Sequence, residues 1–281
     1  MPELPEVETM RRGIAAIAGR KIAGAERLPC KRRPILIQPR PATLARRLTG
    51  QRIDEVERLG KRVVVRLESG DRLIFEPRMT GLVLVADPPS TEHLRFRLDL
   101  ADGPIPHVWY WDRRGLGSVR LLSAREFEAK LGNGYLGPDA LAISCDDLQT
   151  RFASSRRAIK VALLDQKAVA GIGNLYASEI LHLARVHPAK RCDRLSAAQW
   201  QAIHHYMLAV LQLAIRYEGS TLSDGTYRNA LNQDGGFQSH HRVYDRAGQP
   251  CRDCAGPIVR IVQAQRATFF CPKCQTKQRR D

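Results

Sequence analysis

The chain has 281 residues and a formal charge of +16, from 45 lysines and arginines against 29 aspartates and glutamates. A field that strong speaks to partners rather than to fold, and nucleic acid is the first candidate; no long basic amphipathic helix suits a lipid surface, and no run of 18 apolar residues offers a membrane span. At 43% apolar the chain can build sizeable cores, its length is compatible with two domains, and its acidic start lacks the greasy segment of a signal peptide, so we read the protein as intracellular.

The chain opens MPELPEVE. Pro5 suits the first turn of a helix, where its missing N–H costs nothing. Glu6 and Glu8 suit the positive end of the helix dipole. The spacing of Val7, Met10, Ile14 and Ile17 predicts a helix over Glu6–Ala18, stopped by Gly19. Pro2 and Glu3 lie outside that helix, and helix formation gives no reason for them. From Lys21 to Leu122 the pattern becomes short strands. KRVVVRLESGDRLIFE reads as a hairpin turning at Ser69-Gly70-Asp71. HLRFRLDLADGPIPHVWYWD reads as another, turning at Asp102-Gly103. The turn-forming stretch LGNGYLGPDAL reads as a linker.

The second half is helical. Short helices are predicted over Asp146–Ala153 and Arg157–Leu164. GIGN (Gly171–Asn174) breaks the pattern and LYASEILHLA resumes it. Ser196, with Gln199 three residues on, forms a capping-box pattern for a long helix reaching about Glu218. Gly219–Ser239 is rich in Gly, Ser, Asn and Asp and reads as a mobile loop. There is no internal repeat. The expected fold class is α+β in two domains: an N-terminal helix plus antiparallel β-sandwich over 1–132, a linker over 133–142, a helical domain with its loop over 143–240, and a ribbon over 241–281.

That ribbon rests on cysteine spacing. CRDC (Cys251, Cys254) and CPKC (Cys271, Cys274) are separated by sixteen residues, a zinc-ribbon pattern. Each C-x-x-C places two thiolates on one tight turn, and two turns complete a tetrahedron. No coordination position is left open, so one structural Zn²⁺ is expected; four thiolates on it carry net −2 and lower the formal charge to about +14. Between the pairs, PIVRIVQAQRATFF alternates and reads as a hairpin presenting Arg260 and Arg266. Cys30, Cys145 and Cys192 are scattered.

Three markers in this order, the MPELPEVE terminus, a helix–GIGN–helix unit and a four-cysteine ribbon carrying QRATFFC, together resemble the formamidopyrimidine-DNA glycosylase family of base-excision repair enzymes over nearly the whole chain. The sibling endonuclease VIII type usually begins MPEGPE, and Leu4 favours the formamidopyrimidine branch. The resemblance implies a helix-two-turns-helix domain beside the ribbon and a bifunctional glycosylase and abasic-site lyase for oxidised purines. Met1 is removed in this family and the Pro2 amine becomes the nucleophile. Glu3 is the neighbouring acid/base, Lys61 assists elimination, and Arg266 contacts phosphate and serves δ-elimination. Met79, Arg114 and Leu116 match the residues that fill the gap left by an extruded base. His93, Arg156, Lys160 and Asn174 match phosphate contacts. Taken singly, Met79 and Leu116 read as core residues, and the polar positions as solvated side chains.

Two stretches depart from the family pattern. Glu76-Pro77-Arg78 stands where His-Leu-Gly commonly precedes the Met, so Glu76 must point away from phosphate or pair with an arginine such as Arg78. Leu116 replaces the usual Phe and removes a stacking ring. Both bear on lesion range and opposite-base preference. The alternatives are the same fold acting on oxidised pyrimidines or abasic sites, and a non-catalytic zinc-dependent binder of DNA or RNA. The expected partner is double-stranded DNA with damaged bases, met by a monomer in the cytoplasm at the nucleoid.

Overall fold

The computed structural model describes residues 2–132 and 134–276. The chain divides into two compact units: Met1–Asn133 with Ile215–Gln238, and Gly134–Ala214 with Ser239–Asp281. In the first unit, helix α1 spans Leu4–Ile14. It starts ahead of the predicted Glu6 because Glu3 serves as N-cap, its backbone N–H donating to Glu6 Oε2 at 2.9 Å. It ends early in a 3-10 turn over Ala15–Ile17.

Nine strands follow: β1 (Ile22–Arg27), β2 (Leu36–Gln38), β3 (Ile53–Leu59), β4 (Arg62–Leu67), β5 (Arg72–Glu76), β6 (Gly81–Leu84), β7 (Leu94–Leu100), β8 (His107–Asp112) and β9 (Ser118–Leu122). They form a four-stranded sheet ordered β1-β7-β8-β6 and a five-stranded sheet ordered β2-β9-β5-β4-β3. Both predicted hairpins are present, as β4–β5 and β7–β8. The pairings are antiparallel except β2 with β9. Phe75 of one sheet meets Phe96 of the other edge-on at 6.1 Å and stacks on Tyr110 at 5.7 Å, so the sheets enclose a common core. Val7, Met10 and Ile14 of α1 join it. Two short helices interrupt the strand region or close it: α2 (Pro41–Leu48), burying Leu44 and Leu48, and α3 (Ala124–Leu131), capped by Ser123. Neither is long enough to give a strong periodic signal in sequence.

Most of the Gly219–Ser239 stretch, read from composition as a mobile loop beside the helical domain, lies with the first unit, which takes in Ile215–Gln238. Tyr227 and Ala230 are buried in its core. The approach is close: a Cβ on Gly13 would lie 2.3 Å from that of Ala230, and Val85 N–H donates to Ala230 O at 2.9 Å.

The second unit holds α4 (Cys145–Phe152), α5 (Ile159–Ala162), α6 (Asn174–Leu183) and most of α7 (Ala197–Arg216). The expected capping box is formed: Gln199 N–H donates to Ser196 Oγ at 3.3 Å and Ser196 N–H to Gln199 Oε1 at 3.2 Å. Helix α5 is shorter than predicted because Ala158 pairs as a β-bridge with Arg191 and Ile159 N–H bonds Lys190 O, which takes the first turn away from the helix. Strands β10 (Val259–Gln263) and β11 (Arg266–Phe270) form the ribbon hairpin. Among the described residues no helix is long and apolar enough to cross a membrane.

Candidate functional site

In the first unit the chain start is fixed from several sides. Pro2 and Glu3 are buried. Glu6, besides holding Glu3 through Oε2, accepts Ser220 N–H on Oε1 at 3.0 Å. The next residue back, Gly219, has φ +79°, and a Cβ there would lie 2.8 Å from the Glu6 side chain. Tyr227 Oη donates to Glu218 O at 2.9 Å and lies 3.4 Å from Glu6 O. Fully buried beside Glu6 and Glu218, its phenol is pushed well above the ordinary range. Two residues on, Glu8 accepts hydrogen bonds from Arg11, Arg12 and Arg58. Burial alone would raise its carboxyl, but the hydrogen bonds and charges of these arginines outweigh it and hold the carboxyl below the usual range. Backbone donors on Glu6 and arginines on Glu8 thus pin the helix that carries Pro2 and Glu3. Lys61 sits half-buried in the turn between β3 and β4, after Gly60 at φ +56°; α1 packs against both strands.

A single carboxylate organises the loops that follow β5 and β8. Asp112, the last residue of β8, is fully buried. Its Oδ1 accepts Thr80 Oγ at 2.5 Å and Arg114 N–H at 3.2 Å, and Oδ2 accepts Gly117 N–H at 2.8 Å. Its backbone N–H bonds His93 O at 2.9 Å, and its backbone O takes Arg95 Nε at 2.9 Å. Four residues singled out in sequence are therefore gathered around one residue: Met79 beside Thr80, Arg114 and Leu116 beside Gly117 through the Asp112 side chain, and His93 through its backbone. Met79 and Arg114 are exposed and Leu116 half-buried. His93 packs edge-on to Trp111 at 5.3 Å, and burial lowers its pKa. Asp112 and Thr80 went unmarked in the sequence; the only signal was the Asp at the end of an alternating strand and before Arg-Arg-Gly.

Glu76, the departure noted above, is buried and faces arginines. Oε1 pairs with Arg62 Nη2 and Arg78 Nε, each at 3.0 Å, and Oε2 with Arg120 Nη2 at 2.9 Å.

In the second unit, Asn174 opens α6 after Gly171 at φ +109°. Its Nδ2 donates to Ala267 O at 2.9 Å, and its Oδ1 accepts the Lys160 ammonium. Lys160 is fully buried, so it ties α5 and α6 to the strand that starts with Arg266. Arg266 is exposed, next to the Ala264-Gln265 turn whose φ values are +44° and +61°. Arg156 is exposed before α5. Glu179, another buried carboxylate absent from the sequence reading, accepts the N–H groups of Arg242, Val243 and Tyr244 at 2.8, 3.0 and 2.7 Å and docks the entry to the ribbon on α6.

The four ribbon sulfurs lie within 4.8 Å of one another. Cys251–Cys274 is 3.9 Å and Cys254–Cys271 is 3.4 Å. A tetrahedron with Zn–S of about 2.3 Å requires S···S of about 3.8 Å, so the donor set fits zinc. A backbone N–H from Gly256 brings the Cys254 thiol down to about 7, while burial pushes the Cys271 and Cys274 thiols up.

These segments have known relatives. Residues 1–119 match the formamidopyrimidine-DNA glycosylase N-terminal domain, 136–226 its H2TH domain, and 248–277 the zinc finger found in FPG and IleRS. The chain is 41% identical over 280 residues to the formamidopyrimidine-DNA glycosylase of Chloroflexus aurantiacus, covering 98% of each chain. It resembles the crystal structure of the wild-type Lactococcus lactis Fpg (MutM) in complex with N7-benzyl-Fapy-dG-containing DNA (TM-score 0.87, 33% identity, 98% of this chain and 100% of that one). It also resembles the Thermus thermophilus MutM (FPG) structure (TM-score 0.85, 33% identity, 98% and 99%). Resemblance at this level, running through a helix-capped sandwich, an H2TH unit and a four-cysteine ribbon, makes the chain a member of the formamidopyrimidine-DNA glycosylase family.

Proposed function

We propose that the chain is a bifunctional DNA glycosylase and abasic-site lyase that removes oxidised purines, 8-oxoguanine and formamidopyrimidines, from double-stranded DNA. The observation that carries this reading is a Pro2–Glu3 pair at the head of a chain that belongs to the family over its whole length. The nucleophile is the Pro2 amine after loss of Met1. An α-amine with pKa of roughly 8 is about a tenth unprotonated at pH 7, whereas a lysine of roughly 10.4 is well under a thousandth so.

The amine attacks C1′. The C1′–N bond forms and the glycosidic bond breaks, its electron pair leaving with the base. Glu3 handles the proton transfers to and from the sugar-ring oxygen, and ring opening leaves an iminium on Pro2, a covalent intermediate. The cation acidifies C2′–H. Loss of that proton expels the 3′ phosphate, and a second elimination expels the 5′ phosphate, with Lys61 and Arg266 assisting. Met79, Arg114 and Leu116 occupy the space the extruded nucleotide leaves. His93, Arg156, Lys160 and Asn174 serve the phosphates, Lys160 by positioning Asn174. Zinc on Cys251, Cys254, Cys271 and Cys274 is structural and shapes the hairpin bearing Arg266. The protein works as a monomer in the cytoplasm, at the nucleoid.

The test is borohydride trapping on a duplex with 8-oxoguanine opposite cytosine, with mass spectrometry of the adduct. An adduct on the N-terminal Pro2 peptide is expected. Trapping on an abasic site alone would move the substrate, a shift that Leu116 in place of a stacking Phe favours. Trapping on neither, by protein verified to start at Pro2, would overturn the enzymatic reading.

A further inference from the structure

The Glu76 cluster has a cation that the fold does not need. One carboxylate faces the guanidinium groups of Arg62, Arg78 and Arg120, leaving a formal excess of two positive charges. Arg62 and Arg120 are mostly buried, with side-chain exposures of 10% and 20%, and they suffice to pair the Glu76 carboxylate. Arg78 is different. Its side chain is 61% exposed, and it uses only the Nε edge on Glu76. Among the described residues its two Nη groups make no hydrogen bond. Its backbone sits at φ +54°, a region that penalises any residue with a Cβ. An exposed ion pair contributes too little to offset that strain, and strain kept at an exposed position points to use.

We propose that Arg78 is a phosphate-binding residue of the DNA interface and Glu76 its positioning residue. The ion pair brings the Nε edge of the guanidinium to 3.0 Å from Glu76 and leaves a fork of Nη donors, the geometry that matches two oxygens of a phosphodiester. The neighbouring residue is the exposed Met79, so the phosphate belongs to the backbone beside the base pair that Met79 enters. The carboxylate that stands where the family commonly has His thus acts at one remove, through an arginine. This assignment rests on the glycosylase reading above.

The deciding variant is Arg78→Gly. It removes the guanidinium and relieves the positive φ, while Arg62 and Arg120 still pair Glu76, so the melting temperature should hold or rise. Affinity for a duplex should fall about tenfold, equally with and without a lesion, and the slope of log K against log salt should become shallower by about 0.9. Arg78→Lys keeps the charge without the fork and should fall between. Wild-type affinity and salt slope in Arg78→Gly would overturn the assignment. So would a loss confined to lesion-bearing duplex with an unchanged slope, which means base contact. If the wild-type chain binds no duplex, the glycosylase reading fails and this inference with it; if it binds and traps normally but Arg78→Gly binds equally well, this inference fails alone.

Discussion

The chain holds two exposed arginines of its proposed site by unlike means. Arg114 stands on a loop whose backbone is hydrogen-bonded to Asp112, a carboxylate set in the end of a two-sheet core. Arg266 stands on a hairpin backed by a small cluster of Val243, Cys251, Ile258, Phe269 and Cys271, two of which are metal ligands. A large core can spare a buried position for a polar hub, because the surrounding apolar burial carries the fold. A ribbon of this size buries too little apolar surface to carry itself that way, and the metal takes over the work of a core. The first region should therefore fail by degrees and the second all at once.

The sharpest way to break this contrast is Cys254→Ser. Structural zinc is worth on the order of 10 kcal/mol of folding free energy, so the ribbon should unfold, zinc content should fall to background and duplex affinity should drop more than about 100-fold by loss of several phosphate contacts. Near-ultraviolet dichroism from Trp109 and Trp111, both on β8, should persist. Loss of that signal would mean that the ribbon and the sandwich share one folding unit.

Asp112→Ala comes next. It strips acceptors from a buried hydroxyl and two backbone N–H groups, which should cost about 3 kcal/mol in urea unfolding, with a fall in trapping rate larger than the fall in binding. Zinc content should stay at one per chain. Unchanged stability would show that the hub is not what holds the loop.

Acid should separate the two units. His241, beside the ribbon, is buried, and burial together with Arg252 and Arg246 pushes its pKa down to about 4, against about 6.5 for a free histidine. It is folded as the neutral ring. Its contribution is full above about pH 6.5 and is lost as the pH falls toward about 4. Glu8 in the first unit has a lowered carboxyl. Its contribution is present above the ordinary carboxylate range and is lost only as the pH falls below that range. Between about pH 6 and pH 5, hydrogen exchange should speed up around the ribbon before it does in α1. The reverse order would refute the assignment of His241 as a neutral buried group.

The smallest effect is Tyr227→Phe, which removes one hydrogen bond to Glu218 O. About 1 kcal/mol of stability should go, with faster proteolysis between Gly219 and Gly235. No change would show that packing of the ring alone anchors the segment.

Much of this was legible in the sequence, where local chemistry dictates the outcome. The Ser196–Gln199 box, the Gly70 hairpin and the paired C-x-x-C turns are short-range devices, and each forms as read. Lys160 shows the limit. As a lysine in a basic chain it reads as solvated, yet it is fully buried against Asn174, because α5, α6 and β11 meet around it. For Glu76 the sequence allows either a turn away from phosphate or a pairing with an arginine such as Arg78; it pairs with Arg78, and its other partners, Arg62 and Arg120, come from neighbouring strands of the sheet. Thr80 and Glu179 gave no periodic or motif signal, and Asp112 gave only its place at the end of an alternating strand before Arg-Arg-Gly, since a hub is defined by what the tertiary fold brings to it.

By itself, then, the sequence determined the charge that selects a polyanionic partner, the metal ligands, the Ser196–Gln199 cap and the order of helix, sandwich, helical unit and ribbon. These depend on contacts within a few residues or on composition. Only the tertiary structure decided that the stretch after α7 packs with α1, that one buried aspartate gathers Met79, His93, Arg114 and Leu116, and that Arg78 is left with donors to spare. Those outcomes depend on desolvation and long-range pairing: a buried carboxylate must find its partners wherever the fold places them.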